Sequence, residues 1–245
     1  MPRVLIWDVP VRVIHWLLAG GFVAAASIAL ILGEESLNFP YHSIIGLVIG
    51  MLVLVRLLWG VVGSRHARLP RFFHGPAAML GYFRTVLQRA PQRTYAGHNP
   101  GSGPVLALML ALLLGVVTTG VMISRGVKAA KDPHEILVYV TIGLVIAHIA
   151  GVLLHTVVRR DPIALSMIHG RKSAPAQDAI PAGHLLAGLG VLIITAAWTG
   201  GLLRGYDPKS QTLRLPLAAA ELRLGEGDGS NLDEFGGETE HEQEH

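Results

Sequence analysis

The chain has 245 residues, of which 51% are hydrophobic and only 15% are charged, whereas an ordinary soluble domain carries about 25% charged residues. It contains no cysteine, which excludes disulfides, thiolate zinc sites, iron–sulfur clusters and covalently attached c-type haem. The formal net charge is +3, but the basic residues lie between long apolar blocks, which favours a role in membrane topology and not nucleic-acid binding.

Five apolar blocks of about twenty residues match the roughly 30 Å hydrocarbon core of a bilayer. We predict each of them as a transmembrane helix. The first block lacks a small-residue cleavage pattern before a polar mature region, so we predict that it is retained and is not a removed signal peptide. The blocks are residues 11–32, 42–62, 103–124, 134–158 and 182–203.

Basic residues cluster before the first block, after the second and after the fourth. Such segments are typically cytoplasmic. The opposite connection at 33–41 carries two Glu and no basic residue, whereas Arg125, Lys128 and Lys131 are a mild exception to the pattern. The sequence therefore predicts a multi-pass protein of the bacterial inner membrane, with its N-terminus in the cytoplasm and its C-terminal tail in the periplasm.

The segments outside the blocks differ in composition. Residues 75–87 predict a short amphipathic helix on the membrane surface, with a plain basic loop as the alternative. The polar tail, 205–245, is rich in Gly and Glu towards its end and is predicted to be disordered. We therefore divide the chain into a four-helix transmembrane domain over 1–172, an additional helix within 173–204, and the tail.

Four histidines in the blocks are candidate cofactor ligands, because ionisable residues in lipid are costly and need a reason. His134 and His148 are fourteen residues apart, which on a helix leaves them about 40° from the same face and roughly 21 Å apart. With the predicted orientation, His15 pairs with His148 at the inner level and His42 pairs with His134 at the outer level. Two imidazoles on either side of a flat macrocycle are the ligands of six-coordinate b-type haem, so we predict two haems.

Three further residues have weaker assignments. Arg56 shares the face of His42 at the inner level, where a haem propionate would supply the anion that a buried Arg needs; the alternative is snorkelling to lipid phosphate. His155 is expected near the headgroups or a propionate. His184 is expected to be interfacial, in preference to a contact for a third cofactor or a quinone.

Several motifs resemble those of the prokaryotic cytochrome b561 family, in the branch found beside hydrogenases and soluble c-type cytochromes. The resemblance covers residues 4–172. The motifs are Trp-Asp-Val-Pro-Val-Arg-Val-Ile-His-Trp at 7–16, Tyr-His-Ser-Ile-Ile-Gly at 41–46, Arg-Leu-Leu-Trp-Gly-Val-Val-Gly-Ser-Arg-His-Ala-Arg at 56–68, Gly-His-Asn-Pro at 97–100, Thr-Gly at 119–120 and His-Glu at 134–135.

The resemblance implies a four-helix bundle with two b haems on the same four histidines. It also implies a membrane electron carrier that exchanges electrons with quinones and with a periplasmic redox partner. Two features depart from the family pattern: Ser43 stands where many relatives carry Glu, and the fifth block with its tail lies outside the four-helix pattern.

We therefore predict an all-α membrane protein, a four-helix haem-binding bundle with a fifth C-terminal transmembrane helix. It is expected to be a dihaem cytochrome b that relays electrons between the quinone pool and a periplasmic c-type cytochrome, dehydrogenase or hydrogenase. A bound quinone, quinone/quinol oxidoreductase activity and a homodimer are left open. The alternative function is a small haem-free transporter or proton relay that uses intramembrane His.

Overall fold

The computed structural model of the chain describes residues 1–88, 95–159, 163–216 and 220–224. These ranges contain long helices, two short helices and two small sheets. The helices are α1 (Val9–Ser27), α2 (Phe39–Val62), α3 (Pro76–Leu87), α4 (Ser102–Ser124), α5 (Lys131–Arg159), α6 (Ser166–His169) and α7 (Leu185–Gly205). The strands are β1 (Arg3–Leu5), β2 (Arg171–Ser173), β3 (Tyr206–Asp207), β4 (Thr212–Arg214) and β5 (Glu221–Arg223).

Five helices in the described ranges, α1, α2, α4, α5 and α7, are long and apolar enough to cross a membrane. The five predicted spans are confirmed. The first begins two residues earlier than predicted because the Asp8 side chain caps it, accepting a hydrogen bond from the backbone N–H of Val11 at 2.9 Å. The fifth begins three residues later because His184 adopts a left-handed conformation, φ 53°, which interrupts the helix before Leu185.

The spans pack in a defined order. Helix α1 lies against α2, α2 against α4, and α4 against α5, whereas α7 packs on α1 and α2. By contrast, α1 and α5 do not pack closely against each other. The contact of α7 with α1 needs a small residue, because a Cβ on Gly188 would overlap the side chain of Val9.

The connections are also ordered in part. Helix α3 confirms the helix predicted over 75–87; its place on the membrane surface stays a prediction. Strands β1 and β2 form an antiparallel pair with Arg3 opposite Ser173 and Leu5 opposite Arg171. This pair joins the segment before α1 to the segment that follows α6.

The structure corrects the prediction for the first part of the tail. Strands β3, β4 and β5 form an antiparallel sheet in that order, in a stretch that composition indicated to be disordered. Leu213, Leu222 and Leu224 are buried against Leu202 of α7 and Ile44 of α2. Enough apolar area is therefore buried to hold a short sheet in place. The acidic remainder, residues 225–245, lies outside the described residues.

The two ends of the bundle have different cores. The sheet and α7 pack at the end of α2 that carries His42, which we call the His42 end. At the opposite end, which we call the His15 end, Ile6, Trp7, Ala67 and Ala174 form a separate cluster. Segments before α1, after α2 and after α6 thus close the His15 end.

Candidate functional site

The four predicted histidines lie on three spans. His42 of α2 and His134 of α5 have ring centres 6.3 Å apart, with the ring planes at 78°. His15 of α1 lies within range of an electrostatic interaction with His148 of α5. The structure therefore brings His42 and His134 into ring contact, as the predicted depths indicated, whereas the pairing of His15 with His148 stays a prediction.

In the first pair, His42 with His134, each ring is held through its own Nδ1. Nδ1 of His42 lies 2.9 Å from the carbonyl oxygen of Ala25. Nδ1 of His134 lies 3.0 Å from both the carbonyl oxygen of Val116 and the hydroxyl oxygen of Thr119. A carbonyl oxygen can only accept, so Nδ1 carries the proton in both rings and donates it. Each Nε2 is left as a lone-pair donor, the state that a metal ligand requires.

The spacing of this pair fits one metal-centred macrocycle between the rings. Two imidazole nitrogens that each lie about 2 Å from a shared iron put their ring centres about 6 Å apart, close to the observed 6.3 Å. Gly46 lies one turn after His42, and a Cβ there would meet nothing within 4 Å. In the described residues no three His, Asp or Glu side chains come together as a metal site.

The second pair lacks such anchors. The rings of His15 and His148 make no hydrogen bond within the described part of the chain. Their helices, α1 and α5, are also those that do not pack closely. The separation of these two rings therefore depends on how each helix packs on its other neighbours.

Arg56 is buried, with 7% of its surface exposed, so it does not snorkel to the surface. One terminal nitrogen, Nη2, donates to the carbonyl oxygen of Ala67 at 3.1 Å, and the guanidinium carbon lies 5.2 Å from the ring centre of Phe72. The other terminal nitrogen, Nη1, is buried and has no hydrogen-bond partner. Arg56 thus retains a free donor at the His15 end.

Sequence reasoning missed a polar cluster at this end. His98 lies between two aromatic rings, 4.8 Å from Trp7 and 4.6 Å from Phe72, centre to centre. Burial, reinforced by the nearby charges of Arg56 and Lys172, lowers the pKa of His98 to about 3. His98 is therefore neutral at pH 7. Its motif at 97–100 carried the family resemblance, but no role was assigned to it.

The remaining histidine predictions have mixed outcomes. His184 is exposed and sits edge-on to Trp59 at 5.5 Å between ring centres, close to the end of the fifth span. His155 lies on α5 seven residues after His148. The placement of either residue relative to headgroups or a cofactor stays a prediction.

A cavity of about 620 Å³ opens at the His42 end. Its lining includes Glu34, Glu35, Phe39 and Gln211. The ring of Phe39 stacks on that of His42, with centres 5.3 Å apart and planes 9° apart. One aromatic ring therefore separates the cavity from the first histidine pair.

Comparison with known proteins gives a consistent family. The family model described as prokaryotic cytochrome b561 matches residues 6–170. A probable Ni/Fe-hydrogenase B-type cytochrome subunit of Bradyrhizobium diazoefficiens is 24% identical over 216 residues, covering 70% of this chain and 86% of that protein. The protein of the same description from Rhizobium leguminosarum bv. viciae is 26% identical over 215 residues, covering 69% and 88%. No solved structure matches the chain.

Proposed function

The chain belongs to the prokaryotic cytochrome b561 family, and from this premise we propose that it is a dihaem cytochrome relaying electrons across the bacterial inner membrane. Family membership makes it a multi-pass membrane protein that carries b-type haem and takes part in electron transfer. The proposal adds two haems, the ligand pairs His15 with His148 and His42 with His134, and a relay between the quinone pool and a periplasmic partner.

The observation that carries the proposal is the first histidine pair. Its rings are spaced for a shared iron, and the proton on each Nδ1 is fixed by a backbone carbonyl. A transporter or proton relay would need these imidazoles to exchange protons. Rings whose N–H groups are committed to carbonyl oxygens are better suited to hold a metal than to shuttle protons.

The residues of the chain would do three things for the cofactors. The four imidazoles would hold haem iron in their neutral form. Thr119 and the carbonyls of Ala25 and Val116 orient the first pair, and Arg56 Nη1 would donate to an anionic group of the cofactor. Haem supplies reversible one-electron chemistry when bound. The apolar spans exclude water and ions, so electrons can cross while protons do not follow through the bundle.

The partners follow from the relatives and from the cavity. Both relatives are described as probable hydrogenase cytochrome subunits, so a hydrogenase is one candidate partner and a periplasmic c-type cytochrome is another. We place this partner at the cavity beside Phe39, which the sequence-based orientation assigns to the periplasmic side. The quinone pool would exchange electrons with the pair near His15, and the fifth span with its sheet is an addition beyond the family match.

The test is a set of single substitutions of the purified full chain, with haem content and absorption spectra as readouts. His42→Ala and His134→Ala should lose the same spectral component, and His15→Ala and His148→Ala should lose the other. Absence of a reduced b-haem α band in the wild type would reject the function. Loss of both components from every folded variant would reject the pairing alone.

A further inference from the structure

Four side-chain atoms in the described part of the chain are buried without any hydrogen-bond partner, and they belong to one end of the bundle. They are Arg56 Nη1, Ser64 Oγ, His74 Nδ1 and His98 Nε2. A buried polar atom without a partner destabilises the fold, so folded proteins rarely retain one unless water, an ion or a ligand completes it. Several together indicate a shared missing partner.

Two of these residues contact one aromatic ring, and a third lies on the adjacent turn. Arg56 and His98 both contact Phe72, the first through its guanidinium at 5.2 Å and the second edge-on at 4.6 Å. Ser64 begins the turn that contains Ala67, because the backbone carbonyl of Ser64 accepts the backbone N–H of Ala67 at 2.9 Å. The carbonyl of Ala67 in turn accepts the hydrogen bond from Arg56 Nη2. Arg56 and Ser64 are less than one-tenth exposed.

The depth of the cluster can be read from one hydrogen bond. Trp59 Nε1 donates to Asp8 Oδ2 at 3.0 Å, which sets the start of α1 level with the last turns of α2. With a rise of about 1.5 Å per residue, Arg56 lies about 4–5 Å from that level and His15 about 10 Å. Along the helix axes, Arg56 therefore lies roughly one helical turn nearer the end of the bundle than His15 does.

We propose that His98 and Ser64, together with Arg56, bind the propionate carboxylates of the haem held by His15 and His148. The proposal rests on the proposed function and extends it to two residues without an assigned role. The three residues lie nearer the end of the bundle than His15 does, where they could reach the carboxylates of a haem held by His15 and His148. Phe72 and Trp7 frame the carboxylate site.

The chemistry of the donors selects a carboxylate. Arginine can only donate hydrogen bonds, a neutral histidine donates one, and a serine hydroxyl donates one. Arg56 and Lys172 are also both buried at this end, and their positive charges favour an anion over a neutral ligand. Hydrogen bonds from a cation to a carboxylate are roughly twice as strong as neutral ones, so a carboxylate offsets more of the cost of burying the guanidinium than a neutral ligand would.

The test compares leucine substitutions at two neighbouring histidines in the full-length, haem-loaded protein. His98→Leu removes the unpartnered Nε2. His66→Leu is the matched control, because His66 packs in the same loop against Gly97 but its Nε2 is already bonded to the carbonyl oxygen of Asp178 at 2.8 Å. His98→Gln restores an amide donor at about the position of Nε2.

Two measurements report on the carboxylates directly. The first is the rate at which apomyoglobin removes one haem, the one whose spectrum is missing from His15→Ala. We expect this rate to rise about tenfold in His98→Leu and a few-fold in Ser64→Ala, and to return part of the way to the wild-type rate in His98→Gln. The second is the redox-difference infrared spectrum of protein carrying haem ¹³C-labelled at its propionates. The labelled carboxylate bands should shift in His98→Leu and stay in place in His66→Leu.

The outcomes separate this proposal from the one on which it rests. If the wild type holds two haems but His98→Leu behaves like His66→Leu in both measurements, the propionate assignment is wrong and water or another ligand completes the donors. The proposal would also be overturned if His98→Leu changed the kinetics of quinol-analogue oxidation but left the rate of haem loss and the infrared bands unchanged. That result would point to a quinone as the ligand. A wild type without haem would remove the proposed function itself.

Discussion

Thr119→Val tests whether the anchoring of His134 matters for cofactor binding. The hydroxyl of Thr119 lies 3.0 Å from Nδ1 of His134, and the same nitrogen lies 3.0 Å from the carbonyl oxygen of Val116. Valine keeps the branched shape but removes the hydroxyl. Loss of an outer partner of a metal-bound histidine typically costs about 10–100-fold in affinity. Because the Val116 carbonyl remains, we expect the lower limit, about tenfold or about 1.4 kcal/mol.

The adjacent residue supplies the control. Thr118 lies on the same helix, is exposed, and donates to the carbonyl oxygen of Leu114 at 2.7 Å. Thr118→Val therefore makes the same chemical change without touching His134. The assay is haem loss to apomyoglobin from each purified variant, followed at the spectral component that disappears in His42→Ala.

The expected pattern is faster loss of this one haem in Thr119→Val and wild-type behaviour in Thr118→Val. The haem assigned to His15 should be retained equally in both variants. Equal rates of loss in the two variants, or a change in the haem at the other pair, would show that the hydroxyl does not orient the ligand and that the reasoning from its position is wrong.

Three further predictions test other parts of the molecule. Gly188→Ala should lower the free energy of unfolding by about 1–3 kcal/mol, because the added methyl overlaps Val9 where the fifth span meets the first. The loss is measured as a lower thermal unfolding temperature in detergent. Burial lowers the pKa of His66, so this residue contributes stability that is present above pH 6.5 and lost as the pH falls below it. Between pH 7.5 and pH 5.5 the unfolding temperature of His66→Gln should therefore fall less steeply than that of the wild type. Glu35→Gln should slow reduction of a basic c-type cytochrome a few-fold and weaken its dependence on ionic strength in stopped-flow traces.

The membrane architecture could be predicted because a bilayer imposes a length and a composition on each span. The meeting of one histidine pair also followed from the sequence, since orientation and helical rise fix the depth of each residue. His42 and His134 meet although they are distant along the chain. The errors at the ends of spans have local causes, such as the left-handed backbone of His184.

Other features depend on tertiary packing and leave little trace in the sequence. The carbonyl of Ala25 reaches His42 only because α1 and α2 pack in one register. The sheet after α7 is built from very short strands, and its buried Leu213 and Leu222 look like scattered apolar residues in a polar tail. His98 carried a motif but no hydropathy or spacing signal of burial, because its aromatic neighbours come from separate segments.

The two histidine pairs differ in how the protein holds them. Backbone carbonyls of Ala25 and Val116 orient the pair near the sheet, whereas His15 and His148 stand on helices that do not pack closely against each other. If both pairs hold haem as proposed, the haem at His15 would be a coordinate link between α1 and α5, and its removal should loosen those two helices more than removal of the other haem loosens α2 and α5.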